Sequence, residues 1–75
     1  MSVEEFTREL ESNIDGVDSG SIRPDSKLRE SPWWDSLAAL TTLAVFDSCF
    51  GRQLTGEQLA ACETVAEIYG HSQNR

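Results

Sequence analysis

The chain has 75 residues, 39% of them hydrophobic, and its 13 acidic against 6 basic side chains leave a formal charge of -7. A domain this short buries only about 60% of the surface its unfolded chain exposes, which allows one core between a few short helices and excludes a second lobe or a deep active site. A field of that sign repels phosphate backbones and anionic headgroups and attracts basic protein surfaces, so nucleic acid is not an expected partner.

Ser2, Val3, Glu4 and Glu5 have the Ser-x-x-Glu form of a capping box, and Val3, Phe6, Leu10 and Ile14 then recur at helical steps, predicting a first helix that ends before Gly16. From Asp15 to Trp33 the chain carries Gly16, Gly20, Pro24 and Pro32 among Ser and Asp, a composition that denies a continuous helix. A connection so long needs its own anchors, and Val17, Ile22 and Leu28 are the candidates. Asp35 is a favoured N-cap. Leu37, Leu40, Leu43, Ala44, Phe46 and Phe50 follow with few charges until Gly51 stops this second, most apolar helix.

Thr55 caps a short third helix over residues 56–61, with Glu57 in its first turn, and Thr64 caps a last one through Val65, Ile68 and Tyr69. Residues 71–75 read as a polar tail that frays. Cys49 and Cys62 lack the spacing of a zinc site and read as reduced core residues, a bridge between them being the alternative. The longest apolar runs are far too short to span a bilayer. The expectation is therefore a monomeric, cytoplasmic, all-α single domain over residues 1–75, without membrane insertion.

Trp33-Trp34-Asp35-Ser36-Leu37 places a primary hydroxyl in the first turn of a helix, directly after its cap. Unpaired backbone amides and the positive end of the macrodipole favour an anionic group attached there, and a phosphodiester is one. Taken alone, Asp-Ser before an apolar run reads simply as a helix N-terminus. His71, the one histidine, has no evident partner for acid–base work and reads as a solvated residue at a helix C-terminus. Glu63 and Glu67 read as solvated charge. No catalytic residue and no metal ligand is assigned, and an enzyme is the least expected class.

Along essentially its full length the chain resembles the acyl carrier protein family. Asp35-Ser36-Leu37, Leu40, Leu43, Phe46, Asp47 and Phe50-Gly51 stand in the register of that family's second helix. Leu54, residues 56–61 and Thr64-Val65 match the segments after it, and Ser26 to Glu30 resembles the Leu-containing stretch of the family's long first loop. The resemblance implies a four-helix bundle with a long loop between helices one and two and a short third helix. It implies that Ser36 receives 4'-phosphopantetheine from coenzyme A, through a transferase that brings its own magnesium. The arm then holds cargo as a thioester, and the second helix with the loop before it is where partner enzymes dock.

Two departures from the family pattern shape the expectation about partners. The positions after Asp35-Ser36-Leu37 are neutral, Ala38, Ala39, Thr41 and Thr42, where carriers for bulk fatty acid synthesis usually bear acids. Docking through Trp34, Asp35, Leu37, Ala38, Thr41 and Thr42 would then reward shape and apolar contact more than salt bridges, which suits a carrier dedicated to its own loading and processing enzymes. The second departure is Trp33-Trp34, for which one ring covering the core and the other standing exposed is expected. The start at Met1 and the lack of a linker-like flank suit a free-standing carrier. The alternatives are an aminoacyl or peptidyl carrier of a nonribosomal-type pathway, and a helical module that binds a partner without covalent chemistry.

Overall fold

A computed structural model describes residues 1–73. Among these residues the chain forms four α-helices and no strand: α1 (Val3–Asn13), α2 (Ser36–Phe50), α3 (Gly56–Ala61) and α4 (Val65–Gly70). The fold is small and mostly helical, and α1 packs on α2 and α4 while α2 also meets α3.

Each helix begins where a side chain can take the place of the missing preceding turn. In α1 the Ser2 amide donates to Glu5 Oε1 at 2.9 Å and the Glu5 amide donates to Ser2 Oγ at 3.2 Å. The same reciprocal box closes α3 through Thr55 and Gln58, and α4 through Thr64 and Glu67. Glu67 is therefore a capping residue and not merely solvated charge. Gly51 ends α2 at φ +63°, in the left-handed region that side chains with a Cβ disfavour.

One hydrophobic cluster joins the helices and the first loop, with Phe6, Leu10, Leu28, Phe46, Val65 and Ile68 nearly or fully inaccessible. The rings of Phe6 and Phe46 meet edge to face at 6.2 Å, and Phe50 lies 4.8 Å from Phe46 and 5.8 Å from Tyr69. Aromatic packing of this kind contributes roughly 0.5 to 1.5 kcal/mol per pair beyond area burial. Cys62 is buried, Cys49 is half-buried, and both are free thiols.

The long connection between α1 and α2 is anchored as its apolar residues predict. Ile22 and Leu28 are buried and Val17 packs against the core. Polar contacts add direction: the Ile22 amide donates to Glu11 Oε2 at 2.9 Å, the Leu28 amide to the Glu63 carbonyl at 2.8 Å, and the Ala66 amide to the Pro24 carbonyl at 2.8 Å. Lys27 and Thr64 form an isolated antiparallel bridge, and residues 28–30 make one 3-10 turn. The guanidinium of Arg29 donates to the Cys62 carbonyl at 2.9 Å and to the Ala60 carbonyl, at the end of α3. Those carbonyls have no amide of a following turn to accept, and the negative end of the macrodipole favours a cation there.

Residues 71–73 continue α4 as hydrogen-bonded turns instead of fraying. The amides of His71, Ser72 and Gln73 donate to Ile68, Tyr69 and Gly70, and Arg52 Nη1 donates to the Ser72 carbonyl at 3.2 Å. The remainder of the expected tail, residues 74–75, lies outside the described residues. No helix among the described residues is long and apolar enough to cross a membrane.

Candidate functional site at the start of helix α2

The loop delivers the chain to α2 through a turn in which the Trp34 amide donates to the Ser31 carbonyl at 3.1 Å. Asp35 then takes extended backbone angles and caps the helix, its Oδ1 accepting from the Ala38 amide at 2.8 Å. The Asp35 carbonyl accepts the first intrahelical bond, from Ala39 at 3.0 Å. The amides of Ser36 and Leu37 thus fall in the part of the first turn with no intrahelical acceptor. Ser36 is the first helical residue and is exposed. A hydroxyl in that position is accessible from solvent as a nucleophile, and an anion attached to it would lie close to two amides and the positive helix end.

The other expected docking residues divide into two groups. Asp35 and Leu37 are exposed and Trp34 and Thr41 are half-buried, all within the first turns around Ser36. Ala38 and Thr42 are not surface residues: their relative accessibilities are 3% and 0%, and Thr42 Oγ1 donates to the Ala38 carbonyl at 2.8 Å. Their place on a docking face is corrected accordingly. Small side chains occupy the seam where the first turns of α2 meet the core, and Leu37 and Leu40 are turned outward while Leu43 packs against the core.

Leu40, expected among the apolar residues of the second helix, is as exposed as Leu37, both at 64%. Val45, which the sequence reading did not single out, is buried in its stead. The tryptophans also differ from expectation. Neither is wholly buried or wholly exposed; both pack partly on the core, ring against ring, 5.8 Å apart at 83°.

Two depressions border this end of α2. A groove of about 590 Å³ is lined by Asp15, Asp18, Glu30, Trp33 and Asp35 with small loop residues between them. A smaller one of about 120 Å³ runs from Asp15, Trp33 and Asp35 to Leu37 and Thr41. The two share Asp15, Trp33 and Asp35, so the acidic groove opens onto the exposed edge of α2. Among the described residues no cluster of His, Cys, Asp and Glu is arranged to hold a metal ion. His71 lies at the end of α4, half-buried, with its amide bonded to Ile68.

No family model, no curated protein and no solved structure matches this chain with significance.

Proposed function

We propose that the chain is an acyl carrier protein, in which Ser36 receives 4'-phosphopantetheine and the protein presents acyl thioesters to a dedicated set of enzymes. The observation that carries this reading is the exposed Ser36 hydroxyl at the first position of a capped 15-residue helix. The Asp35-Ser36-Leu37 register and the three downstream segments that resemble the family support it.

In the loading reaction Ser36 Oγ forms a bond to the phosphorus that bears the pantetheine, and the pyrophosphate P–O bond of coenzyme A breaks to release adenosine bisphosphate. The hydroxyl proton passes to a base on the transferase, the carboxylate next to Ser36, Asp35, being engaged as the helix cap by the Ala38 amide. Residues of this chain position the reaction: Asp35 fixes the first turn, and the amides of Ser36 and Leu37 face the incoming anion. When bound, the arm supplies a terminal thiol on which cargo is held as a thioester.

A second reading, a non-covalent interaction module, is favoured by the exposure of Leu37 and Leu40, because exposed large apolar side chains side by side mark a contact surface. An aminoacyl or peptidyl carrier would use the same hydroxyl and differ only in its loading enzyme. Intact mass after incubation with coenzyme A, magnesium and a transferase of broad specificity separates covalent from non-covalent function. A single phosphopantetheine adduct on the wild type and none on Ser36→Ala is the expected result. A folded wild type that stays unmodified by several such transferases would leave the module.

A further inference from the structure

Every aspartate of the chain is followed by Gly or Ser: Asp15-Gly16, Asp18-Ser19, Asp25-Ser26, Asp35-Ser36 and Asp47-Ser48. In such a pair the next backbone nitrogen can attack the side-chain carboxyl carbon and close a five-membered succinimide. The reaction needs an uncommitted carboxyl, an uncommitted amide and a backbone free to turn. The fold withholds one of these from several of the pairs. Asp47 and Ser48 lie inside α2, where each amide serves the carbonyl four residues before it. The Ser26 amide donates to the Arg23 carbonyl at 3.0 Å. Asp35 Oδ1 accepts from the Ala38 amide at 2.8 Å.

Asp15-Gly16 meets all the conditions. Both residues are exposed, in the turn that follows the C-cap of α1. Among the described residues, neither the Asp15 carboxylate nor the Gly16 amide has a hydrogen bond or an ion pair. Gly16 holds φ +81°, and a Cβ built there would meet nothing within 4 Å, so the turn leaves open space for the ring. Asp18-Ser19 is exposed as well, but the Cβ of Ser19 crowds the attacking nitrogen, and the Asp18 carbonyl accepts from the Ser21 amide at 3.0 Å.

We propose that Asp15 is a site of spontaneous isoaspartate formation, and that the product is a substrate for a repair methyltransferase that uses S-adenosylmethionine. The Gly16 nitrogen bonds to Asp15 Cγ, its proton passes to solvent, and the carboxyl oxygen leaves as water. A second water then opens the ring. Addition at the side-chain carbonyl regenerates aspartate; addition at the main-chain carbonyl leaves isoaspartate, with the main chain running through Cβ. The α-carboxylate so freed stands exposed in the turn. Its methyl ester closes again to the succinimide with loss of methanol, which returns part of the chain to aspartate. The site is independent of what Ser36 carries.

Ile14, buried, and Val17, packed on the core, hold the two sides of this turn. One extra main-chain carbon between them pulls at least one anchor out of place. Asp15 shares the wall of a depression with Trp33, whose fluorescence reports the change.

The test ages the whole chain at neutral pH and physiological temperature beside a synthetic peptide of residues 12–18. Methyl acceptance from labelled S-adenosylmethionine, catalysed by a protein-isoaspartate methyltransferase, counts the isoaspartate, and peptide mapping places it. Position 15 should convert within about threefold of the peptide's rate, as for a turn that opens at little cost, and the Asp-Ser pairs at least about tenfold more slowly. Asp15→Glu, whose longer side chain would have to close a slower six-membered ring, should lose nearly all methyl acceptance. The isoaspartyl fraction, separated by ion exchange, should unfold at lower urea than the fresh chain and shift its tryptophan emission.

Conversion at position 15 more than about tenfold slower than in the peptide would show that the folded turn blocks cyclisation, and would overturn the proposal. Methyl acceptance that survives in Asp15→Glu would overturn it too, by placing the isoaspartate elsewhere. Equal urea midpoints for the isoaspartyl and fresh chains would overturn the coupling of this turn to Ile14 and Val17.

Discussion

The guanidinium of Arg29 donates to the carbonyl of Cys62 at 2.9 Å, joining the 3-10 turn of the first loop to the end of α3 across 33 residues of sequence. With its second contact at Ala60, this side chain serves carbonyls that helix geometry leaves open. Arg29→Ala should cost about 1 to 2 kcal/mol in urea unfolding, a partly exposed site placing it below the full range for hydrogen bonds from charged groups. Arg29→Lys should recover only part of that, since an ammonium lacks the fork that reaches both carbonyls. An Arg29→Ala midpoint equal to that of the wild type would show that the loop holds without it.

Asp35 and Ser36 are neighbours with opposite expected roles in stability. Removing the cap in Asp35→Ala leaves the Ala38 amide without its partner and should cost about 1 kcal/mol. Ser36→Ala removes an exposed hydroxyl and should stay within about 0.5 kcal/mol of the wild type. A loss above about 1.5 kcal/mol on Ser36→Ala would make that serine structural and weaken its assignment as the attachment point.

The Glu5 carboxyl is held below its ordinary value of 4.5, first by the hydrogen bond from the Ser2 backbone and then by the Ser2 hydroxyl. Its folded-state value lies below the unfolded one, so the stabilisation is complete above about 4.5 and is lost as pH falls through the folded value. The difference in unfolding free energy between wild type and Glu5→Gln should therefore be largest near neutral pH and shrink below 4.5. A difference that stays constant across that range would mean the charged form of Glu5 has no special role in the cap.

Burial pushes both thiols above their ordinary value of 9.0, with Glu9 adding to the rise at Cys49 and Glu67 at Cys62, where Arg29 partly opposes it. Cys62 Sγ donates to the Gln58 carbonyl at 3.2 Å and is buried. A thiol reagent at neutral pH should modify Cys49 slowly and Cys62 only when the protein unfolds. Rapid modification of both in the native state would contradict this packing.

Thirteen acids against six bases on a small surface repel one another. Raising salt toward about 0.15 M shortens the reach of that repulsion to roughly 8 Å. The melting temperature should rise with moderate salt or with divalent cations, and a flat or falling trend would show that local contacts dominate.

Helix ends were the most legible part of the fold. Ser2, Asp35, Thr55 and Thr64 cap the four helices, and Gly51 stops α2, because these roles depend on a few adjacent residues. The inward face of α2 was not legible. Its apolar side chains lie all around the helix, so periodicity does not choose between Leu40 and Val45, and only the packing of α1 and α3 decides which turns inward. Ala38 and Thr42 went to the seam for that reason. The acids of the groove were equally hidden, since Asp15 and Asp35 become neighbours only once the loop has closed. Arg29 gave no local sign at all, its partners lying beyond α2 in sequence.

The contacts of Pro24 with Ala66 and of Leu28 with Glu63 make the first loop a clasp on the junction between α3 and α4. Such closures form only after most of the chain has been gathered, which raises the contact order above that of a bundle built from neighbouring helices and slows folding. They also make the opening of that junction a shared event. The amide protons of Leu28 and Ala66 should then exchange with solvent together, as expected if the first loop and the two short helices it clasps open as a single cooperative unit.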